Sequence, residues 1–143
     1  MNSILVVCEG NICRSPMAQG LLAAALPAFQ VSSAGTGALV GMPADETAVR
    51  LMQSRGVDIT RHRATQITRT ACLAADLVLV MDAVQRRELE GRYPQACGRI
   101  FRLGEFSKGD IPDPYRKPEK NFRDALRLID DGIGEWLHRL QRI

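Results

Sequence analysis

Apolar residues fall along this chain in four short runs, at 4–7 ("ILVV"), around 29–33, at 77–81 ("LVLVM") and at 100–103 ("IFRL"), each too short for a helix. Between the runs the apolar positions recur every three or four residues instead. That alternation is the signature of successive βαβ units, so the pattern predicts an α/β fold. The expected form is a single three-layer α/β/α domain over residues 1–143, with a central, mostly four-stranded parallel sheet.

The helical stretches carry their own punctuation. After the first run, Ser15 and Pro16 read as an N-cap and a first helical position, with Met17, Leu21 and Leu22 as the buried stripe and Pro27 as the stop. A second helix fits residues 44–55, closed by Gly56, and a third starts at Asp82 with Gln85 as its capping-box partner. Phe122, Leu126, Ile129, Ile133, Leu137 and Leu140 mark a long amphipathic helix over 119–142, weakened locally by Gly132 and Gly134. Residues 104–118, "GEFSKGDIPDPYRKP", are too rich in turn formers for either element and predict an ordered loop.

The stretch that the pattern alone does not explain is "VVCEGNICRSPMA", residues 6–18. In an open parallel sheet the ligand crevice lies beyond the carboxyl ends of the strands, and a loop running from the first strand into a helix puts backbone N–H groups and a positive dipole end there. Gly10 and Asn11 tolerate the left-handed backbone that lets successive N–H groups of Glu9, Gly10, Asn11, Ile12 and Cys13 turn toward one centre. Arg14 then offers a bidentate fork to an anion, and Cys8, at the strand end, lies beneath it. The donors that hold a dianion also favour a thiolate nucleophile. Alone, a strand-end cysteine is a small hydrophobe and a helix-start arginine a solvated charge; Cys-(x)5-Arg-Ser between a strand and a helix is a phosphate loop.

Composition narrows the class further. A chain of 143 residues with 45% apolar content builds one core and is too short for two. The sequence passes from Met1, Asn2 and Ser3 straight into strand-like residues and holds no 18-residue apolar stretch, so it predicts a cytoplasmic protein without stable membrane insertion. In that compartment Cys8, Cys13, Cys72 and Cys97 stay reduced. Together with His62 and His138 they show no zinc-like spacing, so neither metal nor cofactor is expected. Net charge is +3, with 19 basic residues dispersed among 16 acids, which suits an anionic substrate and shows no nucleic-acid-type block.

Asp113, between two prolines in the last loop, sits where an acid can protonate a leaving oxygen at the sheet edge that carries Cys8; by itself "PDP" is only a turn. Tyr115 either walls the pocket or packs under the loop. Cys13 either pairs reversibly with Cys8 under peroxide or is a packed small residue.

"VVCEGNICRSPMA" with "DPY" at 113–115 resembles the low-molecular-weight protein tyrosine phosphatase family. "SAGTGALVG" with "DPYRK" resembles its bacterial branch, which acts beside tyrosine autokinases in exopolysaccharide production. The resemblance spans essentially the whole chain. It implies Cys8 as the nucleophile forming a cysteinyl-phosphate, Arg14 as phosphate and transition-state binder, Asp113 as acid, and a Ser15 hydrogen bond to the Cys8 thiolate. It implies that the strained backbone of Asn11 is supported by Ser15, Ser33 and His62, and that a phosphotyrosine protein, a tyrosine autokinase, is the partner.

The departures from the family are local. Eukaryotic members carry aromatics where this chain has Leu39 or Val40, and after the Asp-Pro-Tyr where it has Arg116, so the expected wall is aliphatic on one side and basic on the other. That leans toward phosphotyrosine clusters in acidic or flexible tails. Arsenate reductases of the same fold are the alternative activity, but they add a pair of resolving cysteines on a mobile helix. Cys72 and Cys97 lie too far apart in sequence to serve. A non-catalytic phosphate-binding module would lack Cys8 or Asp113, and both are present.

Overall fold

A computed structural model of the chain describes residues 2–141. The apolar runs become β1 (Ser3–Cys8), β2 (Gln30–Gly35), β3 (Leu77–Val80) and β4 (Ile100–Arg102). All pair in parallel, in the order β2-β1-β3-β4, with Val6 level with Ser33 on one side and Leu79 on the other. β1 and β3 are covered on both faces, which is why "SILVVC" and "LVLV" are continuously apolar instead of alternating.

Successive side chains still divide between the faces. Ile4, Val6, Cys8, Leu77 and Leu79 share a core with α1 (Arg14–Ala25), α2 (Glu46–Gln53) and α5 (Glu119–Leu140). Leu5, Val7, Val78 and Val80 pack on α3 (Arg69–Ala74), α4 (Ala83–Arg92) and the 3-10 turn Pro94–Ala96. The strand order reverses at β1, so the connections after β1 and β3 leave in opposite directions and open a crevice between Cys8 and Met81.

The helix starts depart from the sequence pattern in informative ways. α1 begins at Arg14 with Cys13 at the cap position, not at Ser15, because the Ser15 hydroxyl is engaged by the Cys8 sulfur and the Asn11 amide. α2 is two residues shorter at each end than 44–55, since Asp45 takes the cap and accepts from Thr47 N at 2.9 Å. Asp82 caps α4 as predicted, accepting from Gln85 N at 2.8 Å. In return the Gln85 Oε1 accepts from Met81 N at 2.9 Å, because the extended backbone at Asp82 presents the preceding amide. α3 has no counterpart in the pattern: six residues with one buried side chain, Cys72, show no period.

α5 runs 22 residues, and residue 142 of the predicted helix lies outside the described residues. Gly132 serves packing there. A Cβ at that position would stand 2.7 Å from the Leu103 carbonyl oxygen, so glycine lets the helix lie directly on the end of β4. Among the described residues no helix is long and apolar enough to cross a membrane.

Candidate active site

Five residues, Glu9 to Cys13, carry the chain from β1 into α1. The turn passes through Asn11 at φ +58°, a left-handed conformation that a buried side chain holds only with support. Asn11 is supported at every polar atom that it can offer. Its Nδ2 donates to Ser15 Oγ (2.7 Å) and Ser33 Oγ (3.0 Å), and its Oδ1 accepts from Thr65 N (2.9 Å). Its carbonyl accepts from His62 Nε2 (2.6 Å), and its N–H donates to Cys8 Sγ (3.3 Å).

The directions of these bonds decide what Cys8 feels. Ser33 Oγ gives its hydrogen to Gln19 Oε1 (2.6 Å), so toward Asn11 it accepts. Ser15 Oγ also accepts from Asn11, which leaves its hydrogen for Cys8 Sγ at 2.9 Å. The sulfur therefore receives two donors, the arrangement that a thiolate accepts. Burial pushes the Cys13 thiol well above the ordinary cysteine range, with the charges of Asp45 and Asp113 adding to it, so Cys13 stays protonated. Burial likewise pushes His62 down, which keeps its ring neutral with Nε2–H as the donor. His62 reaches the Asn11 backbone carbonyl and not its side chain, whose oxygen is occupied by Thr65 N–H.

Arg14 is the buried charge of the site, 3% exposed. Its Nη1 donates to the Ile111 carbonyl (2.7 Å) and lies 3.6 Å from Asp82 Oδ2; its Nη2 lies 3.7 Å from Asp113 Oδ2. Ile111 is itself anchored, donating to the Met81 carbonyl at 2.9 Å. Arg14 Nε is the one buried side-chain nitrogen or oxygen without a hydrogen-bond partner among the described residues. A buried guanidinium donor left unfilled is costly, and an anionic oxygen is the group that would fill it. Asp113 is half-buried, its Oδ1 accepting from Tyr115 N at 3.1 Å.

These groups converge on one cavity of about 170 Å³, lined by Cys8, Glu9, Gly10, Ile12, Cys13 and Arg14 with Gly37, Leu39, Asp113 and Tyr115. Asn11, Ser15, Ser33 and His62 stand behind it, out of the lining. Of Leu39 and Val40, Leu39 forms the wall and Val40 is open to solvent. The wall is tied to the loop by Thr36 N to Cys8 O, Gly37 N to Glu9 O and Leu39 N to Gly10 O, at 3.0–3.1 Å. Gly35 permits that approach, since a Cβ there would lie 2.5 Å from Glu9 O. Arg116 sets its guanidinium 5.1 Å from the Tyr115 ring centre, on the basic side that the sequence predicts.

The pattern missed Gln19, Thr65 and Ile111 as parts of the site, and gave no sign that Asp82 pairs with Arg14. Thr65 and Ile111 act through backbone groups, which leave no trace in residue type; Gln19 looks like an ordinary helix surface residue. No His, Cys, Asp and Glu cluster among the described residues could hold a metal ion.

Comparison with known proteins bears directly on this geometry. The sequence profile described as "Low molecular weight phosphotyrosine protein phosphatase" matches residues 3–143. A probable low molecular weight protein-tyrosine-phosphatase EpsP of Ralstonia solanacearum is 52% identical over 143 residues, covering 100% of this chain and 99% of its own. The tyrosine phosphatase Wzb of Escherichia coli K30, solved in complex with sulphate, superposes with a TM-score of 0.93 at 37% identity, covering 97% of this chain and 98% of its own. Vibrio vulnificus Wzb, solved with benzylphosphonate, gives 0.92 at 39% identity, covering 96% and 98%. With the family profile matched over residues 3–143 and the fold matched over 97% of the chain, the chain belongs to the low molecular weight protein-tyrosine-phosphatases.

Proposed function

We propose that this enzyme hydrolyses phosphotyrosine in two steps through a cysteinyl-phosphate on Cys8. In the first, Cys8 Sγ attacks phosphorus, the bond to the tyrosine oxygen breaks, and Asp113 gives its proton to that oxygen. In the second, the Asp113 carboxylate takes a proton from a water that attacks the same phosphorus, and the sulfur leaves as thiolate. Arg14 holds the equatorial oxygens in both, and the N–H groups of the Glu9–Cys13 turn hold the rest. The observation that carries this reading is one cavity combining a sulfur with two donors, a buried guanidinium with an unfilled donor and a half-buried aspartate.

Ile12, Leu39 and Tyr115 make that cavity a slot for a ring, so phosphotyrosine is preferred over phosphoserine, whose short side chain cannot reach the floor. Arsenate reduction finds no pair of resolving thiols: neither Cys72 nor Cys97 lines the cavity, and Cys13, which does, is a single thiol that burial keeps protonated. The family resemblance extends the proposal to a phosphorylated tyrosine autokinase of exopolysaccharide production as physiological substrate, met in the cytoplasm.

Rapid quench with a radiolabelled phosphotyrosine peptide tests the mechanism. A phosphoryl group should be trapped on the denatured chain, mapping to Cys8. Turnover without label on Cys8 would overturn it. An autokinase tail left phosphorylated by an enzyme that clears other phosphotyrosine peptides would remove the proposed partner alone.

A further inference from the structure

Soluble proteins leave few large apolar side chains exposed together, and in this one they are not scattered. Of five such residues among those described, Leu39, Val40 and Met42 occupy a single loop, at 40%, 69% and 53% exposure, and Val84 borders a cleft of about 500 Å³ that shares Glu9, Arg14, Gly37 and Asp113 with the phosphate cavity. The fifth, Phe106, is accounted for by the fold: Trp136 meets its edge and Arg139 covers its face at 3.6 Å.

The 39–42 loop is held firmly while its side chains stay uncovered. Leu39 N donates to Gly10 O, Met42 N to Leu39 O, Gly41 N to Ala64 O and Ala64 N to Met42 O, all within 2.8–3.1 Å. A segment pinned on both sides to the phosphate loop and to residue 64 has little freedom to fold its apolar groups inward. Its exposed face is thus preorganised at the mouth of the site.

We propose, resting on the phosphotyrosine reading above, that Val40 and Met42 form a docking rim for an apolar side chain flanking the phosphotyrosine. The occupant is the substrate polypeptide itself, because the rim is continuous with the wall that Leu39 gives to the cavity. Charge around the mouth is mixed: Arg116 lies over Tyr115, and Glu9 and Glu88 line the adjoining cleft, so flanking charges of either sign meet both attraction and repulsion. Apolar area is what remains to be read, and discrimination of about tenfold is typical of one such contact.

Steady-state kinetics on phosphotyrosine peptides with each flanking position varied among Leu, Ser, Asp and Lys tests the rim, with nitrophenyl phosphate as a small-substrate control. The expected result is a kcat/KM about tenfold higher for one Leu-flanked peptide, carried by KM and insensitive to salt. Val40→Ser/Met42→Ser should abolish that preference and leave nitrophenyl phosphate turnover unchanged, whereas loss of nitrophenyl phosphate turnover in the parent enzyme would instead sink the phosphatase reading. Equal rates for all flanks, or a steep salt dependence with a preference for charge, would overturn the rim. So would a dimer in light scattering that the double variant converts to monomer, because the rim would then be a contact between two copies.

Discussion

The two loops that meet over the cavity are built by opposite means. The phosphate loop is buried from Asn11 to Cys13 and tied from three places: the Ser15 hydroxyl on α1, the Ser33 hydroxyl on β2, itself held by Gln19, and the His62 ring and Thr65 N–H of the 62–65 segment. The loop bearing Asp113 is half-exposed and held mainly at Ile111, with the aspartate fixed by one bond from Tyr115 N. An anion cradle must keep several donors aimed before the ligand arrives, and only an over-determined network does that. On the mechanism proposed above, Asp113 gives and retakes a proton and needs contact with water in the second step; its side chain sits where water reaches. Damage to the first loop should therefore cost stability and chemistry together, and damage to the second chemistry alone.

The largest effect should come from Cys8→Ser. With the nucleophile gone, phosphotyrosine turnover should fall by more than about 10⁴-fold, while phosphate still raises the melting temperature of the variant. Turnover within a factor of ten of the parent would remove Cys8 from the mechanism. Asp113→Asn should slow phosphotyrosine hydrolysis by about 10²–10⁴-fold and nitrophenyl phosphate by less, since a stable phenolate leaves without the proton. Its melting temperature should stay that of the parent. A uniform loss across leaving groups would make Asp113 a loop-shaping residue.

Asn11→Ala tests the coupled side of the comparison. It removes three side-chain hydrogen bonds and places a residue with a Cβ at φ +58° without compensation, so urea unfolding should show a loss of about 2–4 kcal/mol. kcat should fall with it. Unchanged kcat in a destabilised variant would show that the cradle does not depend on its supports.

The smallest effect is on pH dependence. Burial holds the folded-state pKa of His62 below its unfolded value of 6.5, so the neutral ring contributes stability that is fully present above that value. It is lost as pH falls through the folded-state pKa. His62→Gln should therefore flatten the decline in melting temperature measured from pH 7.5 to pH 5. Parallel curves would mean that the ring does not titrate differently on folding.

Much of this was legible in the residues. The strands, the long C-terminal helix and the Cys8–Arg14 turn declare themselves because their signals are local: continuous burial, a 3.6-residue period, and a fixed spacing between a thiol and a guanidinium. α3 was silent because one and a half turns have no period to show. Ser15 misled as a cap because a hydroxyl at a helix start has two uses, and which one it takes depends on neighbours brought by β1 and the turn.

By itself, then, the sequence determined the layered α/β architecture and the chemical content of the first loop, since period and spacing act over a few residues and need no partner. Only the tertiary structure decided that Asp82, Ile111 and Asp113 close around Arg14, and that Thr65 and His62 secure Asn11 from more than fifty residues away. Those contacts follow from the reversal of strand order at β1, which brings the ends of β1 and β3 to one crevice. Backbone groups complete the site there, and a backbone group has the same identity at every position in the chain.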